Sequence, residues 1–211
     1  ADVISLSEAI KVVYQRGEYM QDAVPAGTGG MAAILGLDDD KIIAICKEVQ
    51  QGSVVSAANF NSTGQTVIAG EKAAVERAMH ACKEAGAKRA LPLNVSVPSH
   101  CALMLPAAQK LGEDLARLTF KTPAVPIVQN INGLVAKTPD EIRDNLLKQL
   151  YMPVQWVDTI TCMWELGLGR IVECGPGKVL CGLIKRIEPE IECYSTDDPE
   201  AFAQAKAALS I

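Results

Sequence analysis

Apolar residues follow two rhythms along the chain, one near the helical repeat and one near strict alternation. Ser5-x-x-Glu8 has the form of a capping box, which predicts a helix starting at Leu6. Leu6, Ile10 and Val13 share one face of it, and Met20 extends the stripe. The run ends at "VPAGTGG", residues 24–30, where Gly and Pro mark a boundary. "MAAILGL" then reads as a strand, and "DDDKIIAICKEVQQG" as a helix with acids first and Gly52 last. "SVVSAANF" and "QTVIAG" are short β-type runs divided by the turn signal "NSTG". "EKAAVERAMHACKEAGA" is a second helix, with Gly86 near its end, and "KRALPLNVSV" is a last extended run despite Pro92. The order β-α-β-β-α-β is the split βαβ pattern of a ferredoxin-like unit, spanning residues 30–96.

Beyond His100 the pattern predicts a helix through "CALMLPAAQKLGEDLARL" and a strand "VPIVQNING" that ends in a turn. Two helices follow, "TPDEIRDNLLKQLYM", with a threonine cap before Pro139, and "VQWVDTITCMWELG". "RIVECGPGK" is a strand and turn, and "VLCGLIKRI" a helix. Strands alternating with helices predict a parallel sheet covered on both faces. The fold class is therefore α/β, with residues 1–29 and 97–211 as a larger subdomain and 30–96 as a smaller one.

Composition narrows the function classes. The 211 residues are 49% hydrophobic and 21% charged, which fits a globular chain with a real core. Aromatics are only 4%, so that core is aliphatic. The net charge of -5 argues against a general nucleic-acid binder. No segment approaches the ~20 apolar residues of a membrane span, and no basic leader opens the chain. The start, "ADVISLSEAI", has no initiator methionine and points to a mature, cleaved or partial chain. Seven cysteines form no CxxC pair and there are two histidines, so no metal-ligand spacing is present. The scattered cysteines in apolar surroundings read as buried thiols in a reducing compartment.

His100 ends an extended segment and precedes a helix, where α/β sites tend to form, and its ordinary pKa suits a general base. A base needs a nucleophile, and no G-x-S-x-G occurs in the sequence. Ser62 lies in a turn, Cys101 is adjacent to His100, and His80 sits on a charged helix where it should be solvated. His100 thus stands either as a base without an evident partner or as a histidine satisfied by backbone. Arg16 lies at the border of the first helix's apolar face. It is either solvated along its stem or turned inward, in which case it needs an anion such as a carboxylate. "GPGK" at 175–178 lacks phosphate-loop spacing and reads as a tight turn.

Taken in order, "RGEYMQDAVPAGTGGMAAILGL", "NFNSTGQTVIAG", "KRALPLNVSVPSHCALM", "KQLYMPVQW" and "VECGPGKVLCGLIKRI" resemble the malonyl-CoA:acyl carrier protein transacylases of type II fatty acid synthesis. The resemblance covers essentially the whole chain. It implies an α/β-hydrolase-like larger subdomain carrying a ferredoxin-like smaller one. It also implies transfer of a malonyl group from coenzyme A to the pantetheine thiol of acyl carrier protein through a serine acyl-enzyme. By that resemblance His100 is the base that activates the serine, and Arg16 pairs with the malonyl carboxylate. Gln149 orients the histidine through its backbone carbonyl, and Asn61 lines the same cleft. The expected partners are malonyl-CoA and acyl carrier protein, with no nucleic acid, membrane, metal or cofactor, in the cytoplasm. Since acyl carrier proteins are acidic, Lys88, Arg89, Lys185 and Arg186 are the candidate docking residues.

The departure is large. The family's nucleophile lies in a "GHSLGE" elbow, and this chain is expected to begin just downstream of it, without the first strands of the larger subdomain. On that expectation the chain covers the C-terminal two-thirds or so and is inactive alone. Competing readings are an acyl hydrolase or a trans-acting polyketide acyltransferase of the same architecture, and a non-catalytic interaction fragment.

Overall fold

A computed structural model describes residues 1–209. The first helix, α1 (Leu6–Ala23), begins where the capping box places it, with Ser5 Oγ accepting from the Glu8 amide and Glu8 reaching back to the Ser5 amide. Its inner face is not the one the apolar stripe marks. Leu6, Ile10 and Val13 stay exposed, whereas Val12, Tyr19, Met20 and Ala23 pack inward. The inward set repeats at helical spacing through position 16, so Arg16 lies on the buried side.

Residues 29–92 form one unit. β1 (Gly29–Leu35), α2 (Asp39–Val49), β2 (Val55–Ser62), β3 (Gln65–Glu71), α3 (Lys72–Glu84) and β4 (Arg89–Pro92) follow the βαββαβ order. These strands lie in the spatial order β4-β1-β3-β2, antiparallel throughout. β4 is an edge strand, the position in a sheet that tolerates Pro92, and its ladder stops there instead of running on to Val97. Ala32, Ile34, Val55 and Ile68 pack against Ile42, Cys46, Val75, Ala78 and Cys82 of the two helices. The opposite face of the sheet carries Met31, Ala58, Val67 and Ala69, and these close over Cys101. The residue after His100 is thereby locked into the sheet's second core.

The rest of the chain wraps this unit. A 3-10 turn over Ala102–Met104 delays the next helix, α4 (Leu105–Leu115), which packs on α1 through Met104, Ala107, Ala108 and Leu111. β5 (Val128–Gln129) and β6 (Leu134–Val135) make a small antiparallel hairpin where a single strand was expected. Its turn needs Gly133. φ there is +65°, and a Cβ would sit 2.5 Å from the Cβ of Asp158. α5 (Pro139–Lys148) starts at the Thr138 cap. β7 (Val154–Gln155) joins the main sheet parallel to β2 and leads into α6 (Trp156–Glu165).

β8 (Arg170–Glu173), α7 (Val179–Ile187), β9 (Glu192–Ser195) and α8 (Pro199–Leu209) complete the chain. β8 and β9 pair in parallel as a sheet of two strands. The broad parallel sheet expected for 97–211 is thus reduced among the described residues to that pair. Only three of the seven cysteines are the buried free thiols expected, and Cys181 on α7 and Cys193 on β9 form a disulfide. Cys46, Cys82 and Cys101 are free and buried, Cys162 is half-buried and Cys174 is exposed. Among the described residues no helix is long and apolar enough to cross a membrane, and no cluster of three or more potential ligands could hold a metal.

Candidate active site

His100 is held in an unusual backbone conformation, with φ at +63°. That left-handed region costs a residue with a Cβ roughly 1–3 kcal/mol unless its surroundings impose it. Here they do. The His100 amide donates to the Leu150 carbonyl at 2.9 Å, and ring Nδ1 bonds the preceding carbonyl, that of Gln149, at 2.6 Å. Both acceptors lie just past the last turn of α5, where carbonyls lack helical partners. A carbonyl only accepts, so Nδ1 carries the proton and Nε2 keeps its lone pair, the tautomer a base requires. Burial pushes the imidazole's pKa down; the Gln149 carbonyl opposes that shift, and the Arg16 charge adds to it.

Arg16 reaches the same place from α1. Its Nη2 donates to Gln149 Oε1 at 3.3 Å. Burial lowers its pKa too, and no carboxylate pairs with it among the described residues. Arg16 and His100 line one cavity of about 340 Å³ with Val12, Val13, Asn130 and Gln149. The cavity therefore holds a neutral base beside a partly desolvated cation that lacks a counter-ion. That combination suits a ligand with an anionic end and a group to be deprotonated.

The other expected residues are distributed unevenly. Gln149 meets both Arg16, through its side chain, and His100, through its backbone. Asn61 lies on β2, at a break in the ladder between Phe60 and Ser62, and is not among the residues lining this cavity. Lys88 and Arg89 are exposed at the start of β4, and Lys185 and Arg186 are exposed in the last turn of α7. Three of these four are neighbours. Arg89 pairs with Leu35, Leu35 pairs with Gln65, and Gln65 Oε1 accepts from Arg186 Nη1 at 2.5 Å.

Cys101 is no rival nucleophile. Its Sγ donates to the Pro98 carbonyl at 3.2 Å, and burial pushes its pKa up to about 11. His80 is exposed, with Glu84 3.5 Å away. The "GPGK" turn is pinned from outside, Gly175 N donating to Thr196 Oγ1 and Gly177 N to Asp197 Oδ1. No motif in the sequence marks Asn130, whose Oδ1 accepts from Gln149 Nε2 at 2.9 Å. The available signal was the amide pair Asn145 and Gln149, one helical turn apart, opposite the consecutive amides Gln129 and Asn130.

Comparison with known proteins gives the chain's family and relatives. Residues 1–187 match the family described as acyl transferase domain. The malonyl CoA-acyl carrier protein transacylase of Escherichia coli K12 is 55% identical over 205 residues, 97% of this chain and 66% of its own length. The Bacillus subtilis 168 protein of the same name is 41% identical over 210 residues, 99% of this chain and 66% of its own. A solved malonyl-transacylase in complex with a type II PKS acyl-carrier protein superposes with a TM-score of 0.95 at 51% identity, covering 99% of this chain and 67% of that one. The Coxiella burnetii transacylase superposes at 0.94 with 44% identity, covering 100% of this chain and 66% of that one. The chain thus spans 66% of the length of these two curated relatives.

Proposed function

The chain belongs to the acyl transferase domain family, and on that premise we propose that it is the base- and specificity-bearing part of a malonyl-CoA:acyl carrier protein transacylase. The single observation that carries the reading is the shared cavity, in which a neutral imidazole and an unpaired guanidinium stand side by side. We take the nucleophile to be a serine outside these 211 residues, which contain no G-x-S-x-G. On this reading they transfer no acyl group alone.

His100 Nε2 takes the serine proton as oxygen attacks the malonyl thioester. The Gln149 carbonyl holds the ring in register and favours the imidazolium that forms, the part a carboxylate plays in many triads. The thioester carbonyl becomes a tetrahedral oxyanion and then expels coenzyme A thiolate, which His100 protonates. The pantetheine thiol of the carrier protein next attacks the acyl-serine, with His100 again removing and returning the proton. Arg16 holds the malonyl carboxylate throughout. Acetyl offers nothing to that buried cation, and an unmet donor discriminates more strongly than a lost methyl contact.

The architecture proposed is an α/β-hydrolase-like larger subdomain, residues 1–29 and 97–211, carrying a ferredoxin-like one, 30–96. The β4-β1-β3-β2 order of the smaller unit supports its half of that description. We place carrier docking at the end of the main sheet where Lys88, Arg89 and Arg186 lie close, with Lys185 exposed on the same turn of α7 as Arg186. Asn61 keeps a place in the proposal only as a residue of the wider cleft. Fatty acid synthesis in the cytoplasm is the setting proposed.

The test offers malonyl-CoA to the natural polypeptide carrying these residues, with holo-acyl carrier protein and water as competing acceptors. Malonyl-carrier thioester as the main product supports the proposal. Free malonate as the main product would show a hydrolase instead.

A further inference from the structure

The geometry points to Asn130 as a positioning residue that sets the polarity of the Gln149 amide and through it keeps Arg16 in the malonyl-selecting position. The inference rests on the proposed acyl-transfer reading. It starts from a limit on arginine. A guanidinium has donors only, so Gln149 must present oxygen, not nitrogen, to Arg16. The two ends of a glutamine amide have nearly the same shape, so packing alone does not choose between them.

The choice is made on the other side. Gln149 Nε2 donates to Asn130 Oδ1 at 2.9 Å, which leaves Oε1 facing Arg16 at 3.3 Å. Flipping the Gln149 amide would set donor against donor at Arg16 and acceptor against acceptor at Asn130. The Asn130 backbone is held in place, its carbonyl accepting from the Gln155 amide at 2.6 Å, and its side-chain oxygen meets the one side-chain donor that Gln149 can offer once Arg16 has taken the Gln149 oxygen. The preceding residue, Gln129, is anchored to the same helix. Its Oε1 accepts from Asn145 Nδ2 at 2.7 Å and its Nε2 donates to the Ile142 carbonyl at 3.3 Å. Two consecutive amides of the β5–β6 hairpin thus lock onto Asn145 of α5 and onto Gln149, one turn further on at its C-cap.

Asn130 also lines the cavity that holds Arg16 and His100. With Asn130 replaced by a residue lacking the acceptor, Gln149 is free to turn its nitrogen toward Arg16. The guanidinium then loses its acceptor within the cavity and turns toward water. The His100 ring keeps its hydrogen bond through this change, because that bond goes to the Gln149 backbone and not the side chain; only the nearby Arg16 charge moves away from it. Asn130 therefore acts first on acyl selection, while the hydrogen bond that orients the base stays in place.

The test compares malonyl and acetyl transfer by the natural polypeptide carrying these residues, as wild type, Asn130→Ala, Gln149→Met and the double variant. Asn130→Leu, close to asparagine in size and without an acceptor, serves if the alanine variant does not fold. Both rates come from one sample, so loss of folded protein cancels in their ratio. The expected result for Asn130→Ala is a fall of about tenfold in the malonyl-to-acetyl ratio, the worth of one charge-assisted hydrogen bond. It should enter through the malonyl-CoA KM, with acetyl turnover unchanged. In the Gln149→Met background the same substitution should add nothing. An unchanged ratio in Asn130→Ala, or an equal fall in the Gln149→Met background, overturns the inference. Arg16→Ala separates the two failures. If it too leaves the ratio unchanged, the acyl-selection reading fails and this inference with it. If it collapses the ratio while the Asn130 variants do not, only the role of Asn130 is lost.

Discussion

If the proposed acyl-transfer reading holds, replacing Arg16 by alanine should leave a site that no longer tells malonyl from acetyl. The guanidinium is partly shielded from water and among the described residues has one side-chain acceptor, Gln149 Oε1, at the long distance of 3.3 Å. A malonyl carboxylate would offer it two parallel bonds in place of that one. Charge-assisted bonds contribute about 1.5–3 kcal/mol each net of solvation. Partial exposure of Arg16 puts the pair at the lower end, about 3 kcal/mol, or about 150-fold in malonyl kcat/KM. Acetyl kcat/KM should hold or rise, since a cation without a counter-ion no longer faces the methyl group. The assay follows both thioesters with holo-acyl carrier protein as acceptor. A ratio that stays within about threefold of wild type would refute the assignment, because that is under about 1 kcal/mol where two charge-assisted bonds should give about 3.

Further outcomes follow from the same geometry. Because burial lowers the His100 pKa, the acidic limb of kcat/KM should fall below the ordinary histidine value of about 6.5. The neutral ring is the base, so activity is full above the folded pKa and is lost as pH falls through it. Stability should decline from about pH 6.5 down through that lower folded value, where only the unfolded chain takes the proton. Arg16→Ala should move the kinetic limb upward by removing a repelling charge, and a limb that stays in place counts against the contact. Changing Lys88, Arg89 and Lys185 to glutamine should raise the carrier protein's KM and flatten its dependence on salt. A KM and salt slope both unaltered would move docking elsewhere. Ile34 is fully buried between sheet and helices, so Ile34→Ala should cost about 2–5 kcal/mol in denaturant unfolding. A loss under about 1 kcal/mol would contradict that packing.

The parts of the fold legible in the sequence were those with a local cause. The Ser5–Glu8 box and the Thr138 cap start helices because their side chains meet backbone donors three residues away. The βαββαβ order was readable because each element of 29–92 buries an apolar face against its sequence neighbours. What needed the tertiary structure was the choice between two possible apolar faces. α1 shows Leu6, Ile10 and Val13 on one side, yet α4 packs on Val12, Tyr19 and Met20. That choice also turns Arg16 inward, which spacing from Val13 and Met20 left open. The hairpin at β5–β6 was hidden by an apolar run whose turn depends on Gly133 fitting against Asp158. The Cys181–Cys193 bridge joins elements 12 residues apart with no spacing signature. In the site, His100 was legible as a candidate base, but its tautomer was not. The carbonyl that fixes it comes from 49 residues away. Asn130 was missed for the same reason, since an amide's meaning lies in its partner.

The most direct test of the central claim is to treat the natural polypeptide carrying these residues with malonyl-CoA alone and map the product by mass spectrometry. The account predicts one malonyl ester on a serine, formed rapidly in the wild type, and slowed by orders of magnitude in His100→Ala. An adduct that forms at the same rate without His100, or sits on another residue type, would contradict it.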